Sequence, residues 1–300
     1  MLEHLLTEQP NPASEGIDAL PTSEILRIIN SEDAKVAAAV AQALPPITRA
    51  VDAIVAAWER EGRLFYLGAG TSGRLGVLDA AECPPTFGVS PEQVQGIIAG
   101  GEAALAHPTE ATEDDPAAGV RDLRSCGFTA RDVLVGIAAS GRTPYVLGAM
   151  GSANELGAVT IGISCTPESE LARTAQIPIV LLVGPEVVAG STRMKAGTAT
   201  KMVLNMLTTA SFIRRGYVFG NLMVNVQPKN AKLIDRARRI IERAAGVSYV
   251  RAEQLLASAG NNVRVAIVMS RLNLGRSAAE GKLAAAGGRV SEALRESSHG

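Results

Sequence analysis

Five short apolar runs occupy the middle of the chain: Arg63–Leu67, Val94–Ala99, Asp132–Ala138, Val159–Ser164 and Ile177–Val183. Each has the length of a strand. The pattern therefore predicts strands. Stretches with helical spacing lie between them, at Ser72–Glu82, Pro116–Cys126, Pro144–Leu156 and Glu168–Thr174. Asp115-Pro116 predicts a cap followed by proline at the first helical position, with Gly127 closing that helix, and Pro144 and Gly157 bracket the next. Strands alternating with helices of this length predict an α/β fold: a parallel sheet joined by crossover helices.

The flanks read differently. Residues 1–21, with Pro10, Pro12 and Pro21, predict an irregular arm that either wraps a partner subunit or lies loose. Thr22 and Ser31 predict caps for helices over Ser23–Asn30 and Glu32–Leu44. Pro45-Pro46 breaks that run, and Ile47–Glu61 then places Val51, Ile54, Val55 and Trp58 on one helical face before Gly62. Ser191–Arg215 predicts a long helix packed across the sheet. Beyond Gly216 the pattern is helical, over Lys229–Ala245, Tyr249–Ser258, Asn262–Asn273 and Arg276–Ala286, and no further strand is expected. The expected division is an N-terminal arm with helices (1–53), an α/β domain (54–217) and a helical C-terminal region (218–300), with a small bundle from about residue 248.

Composition narrows the function classes. At 300 residues and 47% hydrophobic content the chain can bury a large core. A net charge of −1 argues against a global grip on nucleic acid or membrane. The start, Met1-Leu-Glu-His-Leu-Leu-Thr-Glu8, lacks a basic region leading into an apolar core, and no run approaches the ~20 residues that span a bilayer. A cytoplasmic protein is expected. Cys83, Cys126 and Cys165 are odd in number and widely spaced, as reduced structural thiols are. With three histidines and no HxxxH or CxxC pair, no metal is expected.

Three segments share glycine with serine or threonine: Gly68-Ala-Gly-Thr-Ser-Gly73, Ala139-Ser-Gly-Arg-Thr143 and Gly190-Ser-Thr-Arg-Met-Lys-Ala-Gly-Thr198. Any one of them is ordinary turn chemistry. Two after parallel strands predict converging loops that cradle an anion, with hydroxyls from Ser72, Ser140 and Thr143 and N–H groups at helix starts. Gly68-x-Gly70-x-x-Gly73 also fits the dinucleotide fingerprint, but the acidic residue expected ~20 positions on is missing where the second strand ends, at Ile97-Ile-Ala-Gly-Gly101. A phosphate monoester suits Thr71-Ser72 better than a pyrophosphate does. No GxxxxGK[ST] loop and no GxSxG elbow occurs.

Two acidic positions are candidates for proton transfer. Glu82 falls at the predicted C-terminal end of the helix that opens at the first loop, where the helix dipole disfavours a charged carboxylate and so suits a proton donor. The cluster Glu110-Ala-Thr-Glu113-Asp114-Asp115 makes ionisation mutually harder, so one member can serve as a base. Residue chemistry does not choose among the four.

Thr71-Ser-Gly-Arg-Leu75, Asp79–Gly88 with its Glu-Cys-Pro-Pro-Thr-Phe-Gly, Ala139–Tyr145 and Gly190–Thr198, with Thr7-Glu8…Asn11 at the start and Asn221–Lys229 later, resemble the N-acetylmuramic acid 6-phosphate etherases across nearly the whole chain. The resemblance implies a sugar isomerase (SIS) domain, a three-layer αβα sandwich that binds a phosphosugar. It further implies a homodimer, a helical C-terminal region, and no metal or redox cofactor. The family's catalytic pair falls on Glu82 and Glu113. Thr71, Ser72, Gly73, Ser140, Gly141 and Thr143 are then expected to hold phosphate, with Ser191 and Lys195 nearby; Lys195 is expected either to steady an enolate-like oxygen or to be a surface lysine at a helix start. The implied reaction eliminates D-lactate from C3 of a cell-wall amino sugar and adds water, leaving N-acetylglucosamine 6-phosphate. The competing readings are a non-catalytic phosphosugar-sensing regulator and an aldose–ketose isomerase.

Overall fold

The computed structural model describes residues 6–107 and 112–295. Helices α1 (Thr22–Asp33), α2 (Val36–Gln42) and α3 (Leu44–Glu59) precede the sheet. Strands β1 (Leu64–Gly68), β2 (Val94–Ile98), β3 (Val133–Ile137), β4 (Val159–Ser164) and β5 (Ile177–Val180) then alternate with α4 (Gly70–Phe87), α5 (Ala103–Ala106), α6 (Pro116–Ser125), α7 (Pro144–Glu155) and α8 (Glu170–Thr174). The long helix α9 (Lys195–Arg214) follows β5. A two-stranded ribbon, β6 (Val218–Phe219) and β7 (Leu222–Met223), leads to α10 (Ala231–Ala245), α11 (Tyr249–Ser258), α12 (Val263–Leu272), α13 (Arg276–Ala285) and α14 (Val290–Arg295).

The five strands form one parallel sheet in the order β2-β1-β3-β4-β5. The pairing of β1 with β3 runs from Leu64 opposite Val133 to Gly68 opposite Ile137, so both strands end level. Side chains alternate between two buried faces. Phe65, Leu67 and Leu134 pack with Leu123 of α6, Tyr145 and Met150 of α7 and Leu171 of α8. On the other face the Tyr66 hydroxyl donates to Asp79 Oδ2 of α4 at 2.9 Å and to the Leu204 carbonyl of α9 at 3.5 Å. Helices on both faces make the three-layer αβα sandwich that the resemblance implied.

The chain divides into two compact units, residues 1–82 with 91–208, and 83–90 with 209–300. The second unit has its own core, in which Val224, Ile241, Leu256, Ala266 and Val290 are buried together.

Several expectations change. Ser31 caps nothing: it lies inside α1 and its hydroxyl donates to the Arg27 carbonyl at 2.8 Å. Pro45 and Pro46 occupy the first turn of α3, where a missing N–H costs nothing. A strand pair, β6 with β7, exists beyond Gly216. Helix α4 does not stop at Glu82; it continues through Pro84 and Pro85 to Phe87. Within the second unit Phe87 stacks on Phe212 with ring centroids 4.4 Å apart, and Asn225 Nδ2 donates to the Phe87 carbonyl at 2.7 Å, which holds that last turn.

Helices α6 and α7 touch through their first turns. A Cβ on Gly119 would lie 2.0 Å from the Tyr145 carbonyl oxygen, and one on Gly148 would lie 2.3 Å from that of Pro116. This approach brings together the chain just ahead of both helices, where Glu113 and Thr143 stand. Gly119→Ala is expected to destabilise the protein by about 1–3 kcal/mol through forced separation of the helices. Gly151→Ala, at a helical glycine with open space around it, should be neutral or slightly stabilising. Urea unfolding of the two variants measures the difference.

Candidate functional site

Because β1 and β3 are neighbours whose outer partners lie in opposite directions, the loops after them diverge and leave a crevice at the carboxyl edge of the sheet. A cavity of about 280 Å3 occupies it. Gly70, Thr71 and Ser72 at the start of α4 line one side, and Ala138 to Ser140 with Thr143 line the other. Glu113, Gly190, Thr192, Thr7 and Glu8 complete the wall. Among the described lining residues there is no lysine or arginine. What the cavity offers an anion is therefore hydroxyls and the N–H groups at the start of α4, which have no intrahelical acceptors.

Glu113 precedes the Asp115 cap, whose Oδ1 accepts from Ala117 N at 2.8 Å and Ala118 N at 3.1 Å. The Arg121 guanidinium and those two N–H groups hold the Asp115 carboxyl below the usual carboxylate range, opposite to the mutual raising expected of the acidic cluster. Glu113 Oε1 accepts from Thr143 Oγ1 at 3.1 Å, and its carbonyl accepts from Tyr145 N at 3.0 Å. The start of α7 therefore positions this carboxylate. Among the three described acidic candidates, Glu113 is the one in the lining; Glu110 lies outside the described residues.

The other expected residues divide. Thr71, Ser72, Ser140 and Thr143 all line the cavity. Arg142 N donates to Ser140 Oγ at 3.3 Å, which leaves the Ser140 hydroxyl proton available to a ligand. Gly73 and Gly141 lie behind the lining, Gly73 against Ile98 and Gly141 against Ser169. Ser191 is outside the lining and its neighbours Gly190 and Thr192 take its place. Lys195 is neither at the surface nor in the cavity wall. Its side chain is 1% exposed, and Nζ donates to Glu32 Oε2 at 2.6 Å.

Glu82 is exposed and stands apart from the cavity lining. Helix α4 runs back along β1: Tyr66 lies against Gly76, and the Tyr66 hydroxyl reaches Asp79. Ten residues at 1.5 Å rise put Glu82 about 15 Å along the axis from Ser72, toward the opposite edge of the sheet.

The N-terminal arm is the part of the wall that residue chemistry alone missed. The Thr7 carbonyl accepts from Gly190 N at 2.8 Å. Asn11 Nδ2 donates to the Pro185 carbonyl at 3.0 Å and to Glu32 Oε2 at 2.9 Å, and Ser14 Oγ donates to the Val187 carbonyl at 2.7 Å. The arm is thus tied to its own chain. The available signal was the appearance of Thr7-Glu8…Asn11 among the blocks that carried the resemblance.

Glu32 and Lys195 anchor this wall. Burial by itself would raise the Glu32 carboxyl, but hydrogen bonds from Lys195, Lys35 and Asn11 outweigh it and bring the value from 4.5 down to about 2. Beside them Glu186 Oε2 and Oε1 accept from Lys195 N and Ala196 N at 3.0 and 2.9 Å, capping α9.

The profile described as the glucokinase regulatory protein N-terminal SIS domain matches residues 46–154, and that of the SIS domain matches residues 127–210. The chain is 56% identical to the N-acetylmuramic acid 6-phosphate etherase of Aeromonas hydrophila subsp. hydrophila, over 97% of this chain and 98% of that protein. It is 56% identical to the enzyme of the same name from Glaesserella parasuis serovar 5, over 97% of this chain and 95% of that protein. A solved phosphoheptose isomerase from Neisseria gonorrhoeae shares the fold at a TM-score of 0.50 and 17% identity, covering 64% of this chain and 100% of that one.

Because the folded value of Glu32 is depressed, its stabilisation is present above pH 4.5 and is lost as pH falls from there toward 2. Lys195→Met leaves that carboxylate buried without its main partner and is expected to cost about 3–5 kcal/mol at neutral pH. The gap from the wild type should narrow as pH falls, because in the variant a protonated Glu32 no longer needs the lysine, whereas the wild type keeps it ionised down to about 2. Unfolding free energies across that range provide the measurement.

Proposed function

The chain belongs to the N-acetylmuramic acid 6-phosphate etherase family, and from that premise we propose how its residues carry the reaction. The protein is a carbon–oxygen lyase: it cleaves the D-lactyl ether of N-acetylmuramic acid 6-phosphate to give N-acetylglucosamine 6-phosphate and D-lactate. The observation that supports the site assignment is the single cavity wall in which Thr71, Ser72 and Ser140 stand with Glu113. The phosphate binds at the start of α4 against the hydroxyls, and its remote binding energy positions the reacting carbons. In the open-chain aldehyde the hydrogen at C2 is acidified. Glu113, aimed by Thr143, removes it. Lactate leaves from C3 as an acid protonates the ether oxygen, and water adds to the resulting unsaturated aldehyde.

We assign that acid, and the later activation of water, to Glu82 of a second copy. C3 lies five bonds from phosphorus, roughly 6–7 Å when extended, whereas Glu82 of the same chain is about 15 Å from Ser72 along the helix. A homodimer in which each chain lends Glu82 to the other's cavity reconciles the family pair with this geometry. A substrate bearing phosphate and carboxylate charges does not cross a bilayer unaided, and no helix among the described residues is long and apolar enough to span one. The charge of the substrate supports a cytoplasmic site of action.

D-lactate release from N-acetylmuramic acid 6-phosphate tests the activity; tight binding without lactate would return the protein to the phosphosugar sensors. Glu113→Gln should lower turnover about 10²–10⁴-fold. Glu82→Gln should block lactate release yet still admit solvent deuterium at C2, and the reverse pattern would exchange the two roles. Mixing the two inactive variants should restore roughly a quarter of wild-type activity, because half of the dimers then hold one complete site. No restoration would place both carboxylates in one chain.

A further inference from the structure

The cavity holds a second carboxylate from its own chain, Glu8, which the acid–base scheme does not use. Its placement is built by its neighbours. Thr7 is 3% exposed, its carbonyl accepts from Gly190 N at 2.8 Å, and its hydroxyl lies 3.4 Å from Glu8 Oε1. Gly190 has a φ of +77°, and a Cβ there would stand 3.0 Å from Glu8 Oε2. Gly190 thus supplies the N–H that pins the arm and the space that its carboxylate uses. Behind them the bonds from Asn11 and Ser14 to the carbonyls of residues 185 and 187 fix the arm on both sides of the turn.

An ionised carboxylate only accepts hydrogen bonds. A phosphate cannot share its surroundings without like-charge repulsion, so the phosphate is confined to the Thr71–Ser72 end of the cavity. What Glu8 can bind is a ligand's hydroxyl or amide N–H. Resting on the phosphosugar reading above, we propose that Glu8 is a specificity residue: its carboxylate accepts hydrogen bonds from the donor groups of the amino sugar, hydroxyl or acetamido N–H, and so orients the ring whose phosphate is held at α4. The anion-binding and donor-binding ends of the cavity then fix which way the sugar lies, and Glu113 meets C2 as a result.

Calorimetry with N-acetylglucosamine 6-phosphate, alongside lactate release, tests this in the full-length protein. Glu8→Ala should weaken sugar-phosphate binding roughly tenfold or more, since a hydrogen bond to a charged group is lost. The KM should rise by a similar factor with a much smaller change in kcat. Glu8→Gln, whose amide oxygen still accepts, should recover part of the loss. Thermal protection by inorganic phosphate should be unchanged in Glu8→Ala and reduced in Ser72→Ala. Sugar-phosphate affinity within twofold of wild type in Glu8→Ala, or loss of phosphate protection equal to that of Ser72→Ala, would overturn the proposal. The binding arm does not depend on turnover. A wild-type protein that binds the sugar phosphate tightly but releases no lactate would sink the etherase reading while leaving Glu8 fully tested.

Discussion

Everything at the candidate site depends on the side-by-side parallel pairing of β1 with β3. Their register ends Gly68 level with Ile137, so two glycine- and hydroxyl-bearing loops leave the sheet at the same height. Strand order then sends the chain outward in opposite directions, to β2 from one and β4 from the other. The crevice is a consequence of that order and needs no special loop. Slippage by one residue would turn every side chain of a strand to the other face and separate the loops.

The wall opposite the loops is held by a different kind of interaction. Glu32 and Lys195 are 163 residues apart in sequence and meet in the interior at 2.6 Å. A buried ion pair contributes little net stability against an apolar alternative, because desolvation offsets the attraction. What it contributes here is position. Asn11 joins the same carboxylate, so the start of α9, the turn at residues 184–190 and the N-terminal arm share one anchor. Thr7 and Glu8 line the cavity, and the chain a few residues later is held by bonds from Asn11 and Ser14 to the carbonyls of Pro185 and Val187.

Helix α4 illustrates how one element can serve two places. Its first turn offers hydroxyls and N–H groups to the cavity, whereas Glu82 lies most of the helix length away on an exposed face. A helix leaving the carboxyl edge of a parallel sheet must run back toward the other edge to begin the next strand. The proposed phosphate anchor and the proposed acid share an element, yet that element holds them apart. The same constraint is why we propose a second copy as the source of the acid.

The amino-acid sequence by itself determined the sheet. Strand-length apolar runs alternating with helical stretches specify a parallel sheet, and glycine and proline punctuate them. For the same reason the Asp115 cap, the first turn of α7 and the two glycine- and hydroxyl-bearing loops were legible, since each is set by residues close together in the chain. Tertiary structure decided which side chains reach the cavity. Glu113 is chosen over its acidic neighbours by Thr143, 30 residues on. Lys195 is withdrawn from it by Glu32, and Glu8 is brought to it by Gly190. The continuation of α4 through Pro84 and Pro85 likewise rests on Phe212 and Asn225. Local propensity fixes where the backbone turns. The fate of a charged side chain depends on what is available to neutralise or solvate it, and in a folded chain that partner is usually far away in sequence.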